Sequence, residues 1–210
     1  MIMTRNLLSI LIVIVAGYLL GSISTGVVLS RLFAKTDIRS QGSGNAGTTN
    51  MLRVLGRKMA LLTFIGDMLK GIIAVFIGKW LIGGELGGLL GVVGAVLGHY
   101  YPLYFGFKGG KGIATSFGSL LFVFPVQALL AFAVFLILVA VTHYVSVGSI
   151  AAAITLPLLI VITRFQEPTL WIITVCIGAS VVWRHRANIK RLMNHTENKL
   201  DFSTLKGKKK

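Results

Sequence analysis

The sequence predicts an all-α integral membrane protein with seven transmembrane helices. The first observation is composition, because 55% of the 210 residues are hydrophobic and only 13% are charged. The second is that the apolar residues form long runs, and the third is that basic residues collect between those runs. Together with a mean hydropathy of +0.83, this composition excludes an ordinary soluble domain, which exposes far more charged surface.

The predicted helices follow from six apolar runs, since about 20 helical residues cross the hydrocarbon core of a bilayer. The runs cover residues 7–32, 59–82, 86–105, 113–141, 147–163 and 168–183. Arg5 is the one basic residue before the first run, and the run lacks a small-residue cleavage site. We therefore expect a retained span rather than a signal peptide. The fourth run is the longest and contains Pro125, which removes an intrahelical hydrogen bond and predicts two short helices.

Basic loops determine the expected orientation, because Lys and Arg collect on the cytoplasmic side of membrane proteins. The basic segments are residues 31–58, 108–111 and 184–210. All three lie inside only if the fourth run crosses twice, with the N-terminus outside and the C-terminus in the cytoplasm. We expect one polytopic domain over residues 1–199 and a basic cytoplasmic tail over residues 200–210. Anionic membrane lipids then account for the net charge of +15, and no nucleic-acid partner is predicted.

A glycine- and lysine-rich loop at residues 106–112 is the main functional signal. Glycines let a backbone turn tightly and bring its N–H groups close to an anion, and the helix expected from Ile113 adds its dipole. The predicted phosphate-binding residues of this loop are Lys108, Gly109, Gly110, Lys111 and Gly112. The loop is not a Walker A motif, because no Ser or Thr follows Lys111. The alternative is a basic membrane-flanking loop whose glycines only supply flexibility.

A second donor-rich loop, residues 42–50, contains three glycines, two amides and three hydroxyls. Closely spaced donors, followed by an Arg able to grip a phosphate at two points, predict phosphate binding. The residues assigned to phosphate are Gly42, Ser43, Gly44, Thr48 and Arg53, and those assigned to catalysis are Ser43 and Asn45. The alternative is a polar linker whose glycines only turn the chain.

The third functional segment, residues 184–192, follows the last apolar run, and we expect it to continue that helix. His185 and Asn188 would then share one face at i and i+3, and we assign both, with Lys111, to catalysis. Ser146 and Glu197 are further candidates for the site. The alternative is a basic helix that anchors the chain at the membrane interface.

Polar residues inside the apolar runs complete the set of candidates. Asp67 and Lys70 lie at i and i+3 on one helix face and predict a structural ion pair, with a role in the site as the alternative. His99 precedes the lysine loop and predicts either a catalytic group or a buried hydrogen-bonding group. Glycines between residues 84 and 98 predict close helix packing. The single cysteine, Cys176, gives no disulfide or thiolate metal site, and no metal or cofactor is predicted.

Three segments closely resemble the signatures of the bacterial acyl-phosphate:glycerol-3-phosphate acyltransferase family (PlsY). They are residues 42–50, residues 98–102 with 107–115, and residues 185–192 with Glu197. The resemblance implies acyl transfer from acyl phosphate to the sn-1 hydroxyl of glycerol 3-phosphate in the inner membrane, on the cytoplasmic side. It also implies a place beside acyl-phosphate synthesis and before the next acyltransferase step. Two departures, His143 for the usual Arg and His195 for the usual Gly, put local contacts in doubt.

The chemistry of the residues agrees with that resemblance. Acyl phosphate is already activated, so an enzyme must chiefly hold two phosphates and an acyl chain in line and stabilise an oxyanion. The His-x4-Asp signature of thioester-dependent acyltransferases is absent from the sequence. An anion or phosphate-ester transporter is the first alternative, although the two halves of the chain show no matching interrupted helices. A structural lipid-binding membrane protein is the second.

Overall fold

The computed structural model describes the backbone of residues 2–200 and the side chains from Leu7 onward. The side chain of Arg5 and the tail beyond residue 200 lie outside that description. Within it, all regular structure is helical and no strand occurs. The α-helices are α1 (Ile2–Gly21), α2 (Thr25–Ala34), α3 (Thr48–Leu81), α4 (Gly84–Tyr100), α5 (Ile113–Leu121), α6 (Pro125–Thr142), α7 (Val145–Thr163), α8 (Pro168–Arg184) and α9 (Arg186–Met193).

Five helical segments in the described part of the chain are long and apolar enough to cross a bilayer. They are Leu7–Ala34, Thr48–Leu81, Gly84–Phe105, Pro125–Thr142 and Val145–Thr163. The helix α8 is apolar but shorter, at 17 residues. Large aliphatic side chains stay exposed on these helices, as Val141 and Ile162 show with 74% and 67% exposure, and such surfaces suit lipid. The all-helical integral membrane class is confirmed, whereas seven spans and their orientation stay predictions.

The break expected in the fourth apolar run is confirmed. The helix α5 ends at Leu121 and α6 begins at Pro125, where a first-turn proline has no intrahelical hydrogen bond to lose. Lys79 Nζ donates to the carbonyl oxygen of Phe122 at 2.7 Å and satisfies the end of α5. With nine residues, α5 is about 13 Å long at 1.5 Å per residue, and α6, the other helix of this run, has 18 residues.

Two helix boundaries differ from the sequence prediction. The helix α3 begins at Thr48 rather than near Met59, so the end of the first motif and Arg53 lie on its first turns instead of in a loop. Gly56, with φ 80° and ψ −175°, interrupts this early helical part. The second difference is a break at His185, because α8 ends at Arg184 and a separate helix α9 follows.

The chain divides into two compact units, residues 1–126 and residues 127–210. In the first unit, α4 packs closely against α1 and α3 through its glycines. A Cβ at Gly94 or Gly98 would overlap main-chain oxygens of α1, and one at Gly91 would overlap a main-chain oxygen of α3. The predicted small-residue packing is therefore confirmed, and it holds the end of α4 and the loop after it in place.

The second unit contains nearly all of α6 and the helices α7, α8 and α9. The helix α7 contacts both neighbours closely: a Cβ at Gly148 would lie 2.7 Å from the carbonyl oxygen of Phe135 in α6. One at Gly178 in α8 would lie 2.5 Å from the carbonyl oxygen of Ala153 in α7. The connection between α6 and α7 is only two residues long, since α7 begins at Val145 and Ser146 belongs to its first turn.

Candidate active site

Asn50 shapes the first loop, the segment that precedes α3. Its buried side chain accepts the N–H of Ser43 on Oδ1 at 2.8 Å. Its Nδ2 lies 2.9 to 3.2 Å from the carbonyl oxygens of Ile38, Gln41 and Asn45. One amide that serves four backbone groups holds the loop in a single conformation. The sequence analysis assigned no role to Asn50. An amide side chain at the end of a glycine-rich motif does indicate a residue that can bond the backbone of that motif.

The backbone donors of the first loop point inward, which differs from the expected nest of N–H groups around a phosphate. The N–H groups of Ser43 and Gly44 bond within the loop, and that of Gly47 donates to Oδ1 of Asn45 at 2.9 Å. Asn45 therefore forms a local turn rather than facing outward. The exposed side chains here are those of Ser43 and Arg53, so phosphate binding by this loop rests on side chains.

Thr48 stands at the first position of α3 with an unsatisfied polar atom. Its hydroxyl is buried and has no hydrogen-bond partner among the residues that the structure describes. The preceding Gly47 makes no side-chain cap. An uncapped helix N-terminus beside an unpaired hydroxyl suits an anion. Gly42 contributes differently: its φ is 57°, and a Cβ there would overlap Oδ1 of Asn50.

The second loop, residues 106–112, lies against the C-terminal end of α4. Gly109 N–H donates to the carbonyl oxygen of Tyr100 at 3.2 Å, and Gly110 N–H donates to that of His99 at 3.1 Å. A Cβ at Gly109 would overlap the same His99 oxygen. These glycines therefore allow close contact with α4. The sequence predicted that their N–H groups would face an anion, but the N–H groups of Gly109 and Gly110 bond α4 instead.

The two lysines of the second loop and the start of α5 remain the candidates for phosphate. Lys108 is exposed and Lys111 is partly buried. The helix α5 begins at Ile113 without a side-chain cap, directly after Gly112 with its φ of 81°. Positive charge and a helix N-terminus thus occur in one short stretch, which favours an anion.

Arg39 connects the segment before the first loop to the second loop, and the sequence analysis did not assign it. Its Nε and Nη2 bond the carboxylate of Asp37 at 3.0 and 2.8 Å. Its Nη1 donates to the carbonyl oxygens of Phe105 at 2.6 Å and Lys108 at 3.1 Å. The hydrogen bonds from Arg39 hold the pKa of the Asp37 carboxyl well below its usual range. The charged fork is therefore fixed where it binds the second loop.

A buried polar cluster lies at the same end of α4. Asp67 and Lys70 form the predicted ion pair, with Nζ and Oδ1 2.9 Å apart. Lys70 Nζ also lies 3.0 Å from Nδ1 of His99. All three side chains are buried, so the structural ion pair is confirmed and His99 is a buried hydrogen-bonding group.

In the second unit, His185 occupies the break between α8 and α9. Its N–H bonds both Val181 and Val182 carbonyl oxygens, at 3.2 and 2.9 Å, which tightens the last turn and ends α8. The expected continuous helix is therefore wrong. The buried ring places Nδ1 2.8 Å from the carbonyl oxygen of Val181. A carbonyl only accepts, so Nδ1 carries the proton and Nε2 of the neutral ring carries the lone pair.

Glu197 gathers three polar side chains in the second unit. Its Oε1 accepts from Nδ2 of Asn188 at 2.7 Å and from Oγ of Ser146 at 3.0 Å, and its Oε2 accepts from Nε of Arg191 at 2.7 Å. Burial raises the pKa of Glu197, but the hydrogen bonds from Asn188, Arg191 and Ser146 outweigh burial and lower it. The predicted candidates Ser146 and Glu197 are thus joined to Asn188.

The bond to Glu197 also orients the Asn188 amide. An ionised carboxylate only accepts hydrogen bonds, so Nδ2 must face Glu197 and Oδ1 must face away from it. That Oδ1 is buried without a hydrogen-bond partner in the described part of the chain. This oxygen can accept a hydrogen bond from a substrate hydroxyl, and it cannot donate to an oxyanion.

The two family departures lie at unusual backbone positions. His143 has φ 63° and His195 has φ 54°, in the left-handed region that favours glycine. A glycine at either position would adopt this backbone conformation with less strain. The carbonyl oxygen of His143 accepts the N–H of Leu200 at 2.7 Å, so this contact is made by the main chain of His143.

Among the residues that the structure describes, no group of three His, Cys, Asp or Glu side chains is placed to hold a metal ion. Within residues 1–126 the structure connects the segment before the first loop to the second loop and sets the second loop against the buried cluster. Within residues 127–210 it joins Ser146, Asn188 and Glu197, with His185 at the start of the same short segment.

The family model described as glycerol-3-phosphate acyltransferase matches residues 11–195. The chain belongs to the glycerol-3-phosphate acyltransferase family, PlsY. It is 45% identical over 200 residues to a glycerol-3-phosphate acyltransferase of Clostridioides difficile, covering 93% of this chain and 97% of the relative. It is 48% identical over 194 residues to one of Syntrophotalea carbinolica, covering 91% and 97%.

Two solved structures of the family share the fold. One is PlsY, an integral membrane glycerol 3-phosphate acyltransferase, in its glycerol 3-phosphate form, with a TM-score of 0.86, 38% identity and coverage of 94% of this chain and 98% of that chain. The other is the lysophosphatidic acid form, with a TM-score of 0.83, 37% identity and coverage of 95% and 100%. The family resemblance read from the three motifs is confirmed.

Proposed function

We propose that this protein transfers a fatty acyl group from acyl phosphate to the sn-1 hydroxyl of glycerol 3-phosphate. The products are 1-acyl-glycerol 3-phosphate, which is lysophosphatidic acid, and inorganic phosphate. The observation that carries the proposal is the family match over residues 11–195, which includes both basic loops and the segment with His185 and Asn188. In the cell, the reaction is the first acylation of bacterial phospholipid synthesis, beside acyl-phosphate synthesis and before the next acyltransferase step.

Acyl phosphate is the proposed donor because its chemistry matches the groups in the chain. The attacking oxygen bonds to the carbonyl carbon, the carbon–oxygen bond to phosphate breaks, and phosphate leaves with the electron pair. Catalysis then requires cations that hold phosphate and groups that orient the hydroxyl. The chain offers both, and it lacks the His-x4-Asp signature of thioester-dependent enzymes.

In the first unit, we assign phosphate binding to exposed or partly buried side chains. Ser43 acts from the first loop, Arg53 from the first turns of α3, and Lys108 and Lys111 from the second loop. Thr48 adds its buried hydroxyl at the start of α3. The glycines of both loops act by letting the backbone turn and approach its neighbours, and Asn45 stabilises the first loop.

In the second unit, we assign the reacting hydroxyl to His185 and Asn188. The lone pair on Nε2 of His185 suits acceptance of the hydroxyl proton, because Nδ1 is committed to Val181. Oδ1 of Asn188 suits acceptance of a hydrogen bond from the same hydroxyl. The alternative proton acceptor is an oxygen of the acyl phosphate itself, in which case His185 only positions the hydroxyl.

Turnover by purified protein tests the proposal. With palmitoyl phosphate and glycerol 3-phosphate we expect release of inorganic phosphate and formation of lysophosphatidic acid, and with palmitoyl-CoA we expect neither product. Efficient use of palmitoyl-CoA would contradict the donor assignment. Uptake of glycerol 3-phosphate into vesicles without acylation would favour a transporter, and absence of both activities would favour a lipid-binding protein.

We also propose seven spans, with the N-terminus outside and the motif loops in the cytoplasm of a cell with an inner membrane. Single cysteines test this after Cys176→Ala, because Cys176 is exposed. We expect Ser43→Cys, Lys108→Cys and Lys206→Cys to resist an impermeant maleimide in intact cells; Lys206 lies outside the described residues. Gln166→Cys is the positive control in the proposed external loop. Labelling of any of the first three from outside contradicts the topology.

A further inference from the structure

We propose that Asp67, Lys70 and His99 are positioning residues that hold the second loop and, through it, Lys111. The inference rests on the proposed function, because it concerns how the proposed phosphate site is shaped. The three side chains act from beneath the loop and do not touch substrate.

Lys70 is the centre of the cluster. It is 4% exposed, and Asp67 and His99 are 2% and 6% exposed. Its Nζ lies 2.9 Å from Oδ1 of Asp67, 2.9 Å from the carbonyl oxygen of Ile23 and 3.0 Å from Nδ1 of His99. An ammonium group has three N–H donors, so the three acceptors use all of them and fix its direction.

This geometry decides which ring nitrogen of His99 carries the proton. Lys70 can only donate, so Nδ1 must accept, and the proton of the neutral ring belongs on Nε2. Thr115 Oγ1 lies 3.3 Å from the same Nδ1 as a second donor. Oδ1 of Asp67 lies 3.7 Å from the same nitrogen. The bond from Lys70 therefore holds the ring in one orientation.

The Nε2 edge of His99 faces the second loop. A Cβ at Gly110 would overlap Nε2 and lie 2.9 Å from Cε1 of the ring, so the Gly110 backbone rests directly on the imidazole. The Gly110 N–H also donates to the main-chain oxygen of His99 at 3.1 Å. The ring and the main chain of one residue thus hold the loop immediately before Lys111.

Thr115 connects the same ring to α5. It is fully buried, and α5 begins only two residues before it. A displaced His99 ring therefore shifts Lys111 and the N-terminus of α5, the groups to which we assign phosphate. A buried ion pair adds little net stability compared with apolar packing, so orientation of the loop explains this cluster better than stability does.

The double variant Asp67→Asn/Lys70→Met tests the inference, because it removes both charges together and leaves neither one buried alone. We expect the KM for glycerol 3-phosphate or palmitoyl phosphate to rise about tenfold while kcat changes less than about threefold. The thermal unfolding midpoint in detergent should stay close to that of wild type. Thr63→Val is the matched control, since Thr63 is also buried in α3 and its hydroxyl donates to the carbonyl oxygen of Met59 at 2.8 Å. The KM values of this variant should not change.

A second variant separates orientation from packing. His99→Asn keeps an acceptor for Lys70 but removes the ring edge beneath Gly110, and we expect a raised KM with the same small change in kcat. Unchanged KM values in both folded variants would overturn the inference. It would also be overturned if Thr63→Val lowered the unfolding temperature by the same amount and raised KM equally.

Failure of the proposed function gives a different experimental result from failure of the positioning role. If wild type shows no turnover, the proposed reaction is contradicted, and the inference is then tested by binding of inorganic phosphate. We expect phosphate to raise the unfolding temperature of wild type at lower concentration than it does for Asp67→Asn/Lys70→Met. An equal response of the two proteins would overturn the positioning role.

Discussion

In the two loops of the first unit, the backbone amides bond inward and the exposed charges belong to Arg and Lys side chains. Around Glu197 in the second unit, by contrast, one carboxylate collects three side chains. The loops also depend on shape, since Gly42, Gly109 and Gly110 lie against neighbouring atoms where no Cβ fits. The second region is held by charge and hydrogen bonds. Substitutions should therefore act by steric clash in the first region and by loss of orientation in the second.

The largest effect on catalysis is expected at His185, the residue of the second region to which we assign acceptance of the hydroxyl proton. If Nε2 accepts the proton, His185→Ala should lose about 10²–10⁴-fold in kcat with KM nearly unchanged, the usual value of general-base catalysis. Steady-state kinetics with palmitoyl phosphate measure this. His195→Ala is the matched control, since it removes an exposed imidazole and should leave kcat unchanged.

The same variants separate the two proton acceptors. Should His185→Gln keep most of the rate while Lys111→Ala abolishes it in folded, inserted protein, a protein base is contradicted. Proton transfer to an oxygen of the acyl phosphate then remains. In that case the comparison becomes sharper, because both regions would serve orientation and binding alone.

The next effect is expected at Gly109, where shape rather than charge is at stake. An Ala there would overlap the main-chain oxygen of His99, and overpacking of this kind costs about 1–3 kcal/mol. We expect Gly109→Ala to lower the unfolding temperature and to raise KM for a phosphate substrate by about 10²-fold, because the loop cannot seat on α4.

Gly106→Ala is the control in the same loop. Its φ is 67°, yet no atom lies within 4 Å of an added Cβ. It should therefore cost only the backbone strain, about 1 kcal/mol, with little change in KM. Equal effects of the two substitutions would mean that backbone freedom, and not contact with α4, is the reason for these glycines.

A smaller effect is expected at Arg39, which connects the segment before the first loop to the second loop. Arg39→Lys keeps the charge but loses the fork that binds Asp37, Phe105 and Lys108 together. We expect KM for a phosphate substrate to rise about tenfold, since hydrogen bonds to a charged group contribute about 1.5–3 kcal/mol. Arg31→Lys is the control, because Arg31 also bonds Asp37 but is more exposed. A comparable KM rise in Arg31→Lys would contradict the role of Arg39 in holding the second loop.

The sequence was informative where structure depends on local chemistry. Hydropathy predicted the membrane class, Pro125 predicted the break between α5 and α6, and the three motifs predicted the family. It was uninformative where structure depends on distant contacts. Arg39 bonds a residue 69 positions away, and the glycine N–H groups bond α4. The break after Arg184 is local, where the His185 N–H bonds the carbonyl oxygens of Val181 and Val182, and helix periodicity does not reveal it.

The smallest effect is expected from the acidic end of the pH range, where the charge of Glu197 is lost. The folded-state pKa of Glu197 lies below its ordinary value of 4.5. A lowered pKa means that the carboxylate stabilises the folded state above the ordinary pKa, and that this stabilisation disappears as pH falls through the folded-state pKa. Wild type should therefore unfold at a higher temperature than Glu197→Gln at pH 7.

The difference between these two proteins should shrink as the pH is lowered below about 4, where an ordinary glutamate is protonated. Glu167→Gln is the matched control, because Glu167 forms an exposed pair with Arg164 and exposed pairs contribute little. Thermal unfolding in detergent across the pH range measures both variants. If the gap between wild type and Glu197→Gln stayed constant down to acid pH, the charge of Glu197 would not be what holds Asn188 and Arg191. The second region would then depend on shape, as the loops of the first region do.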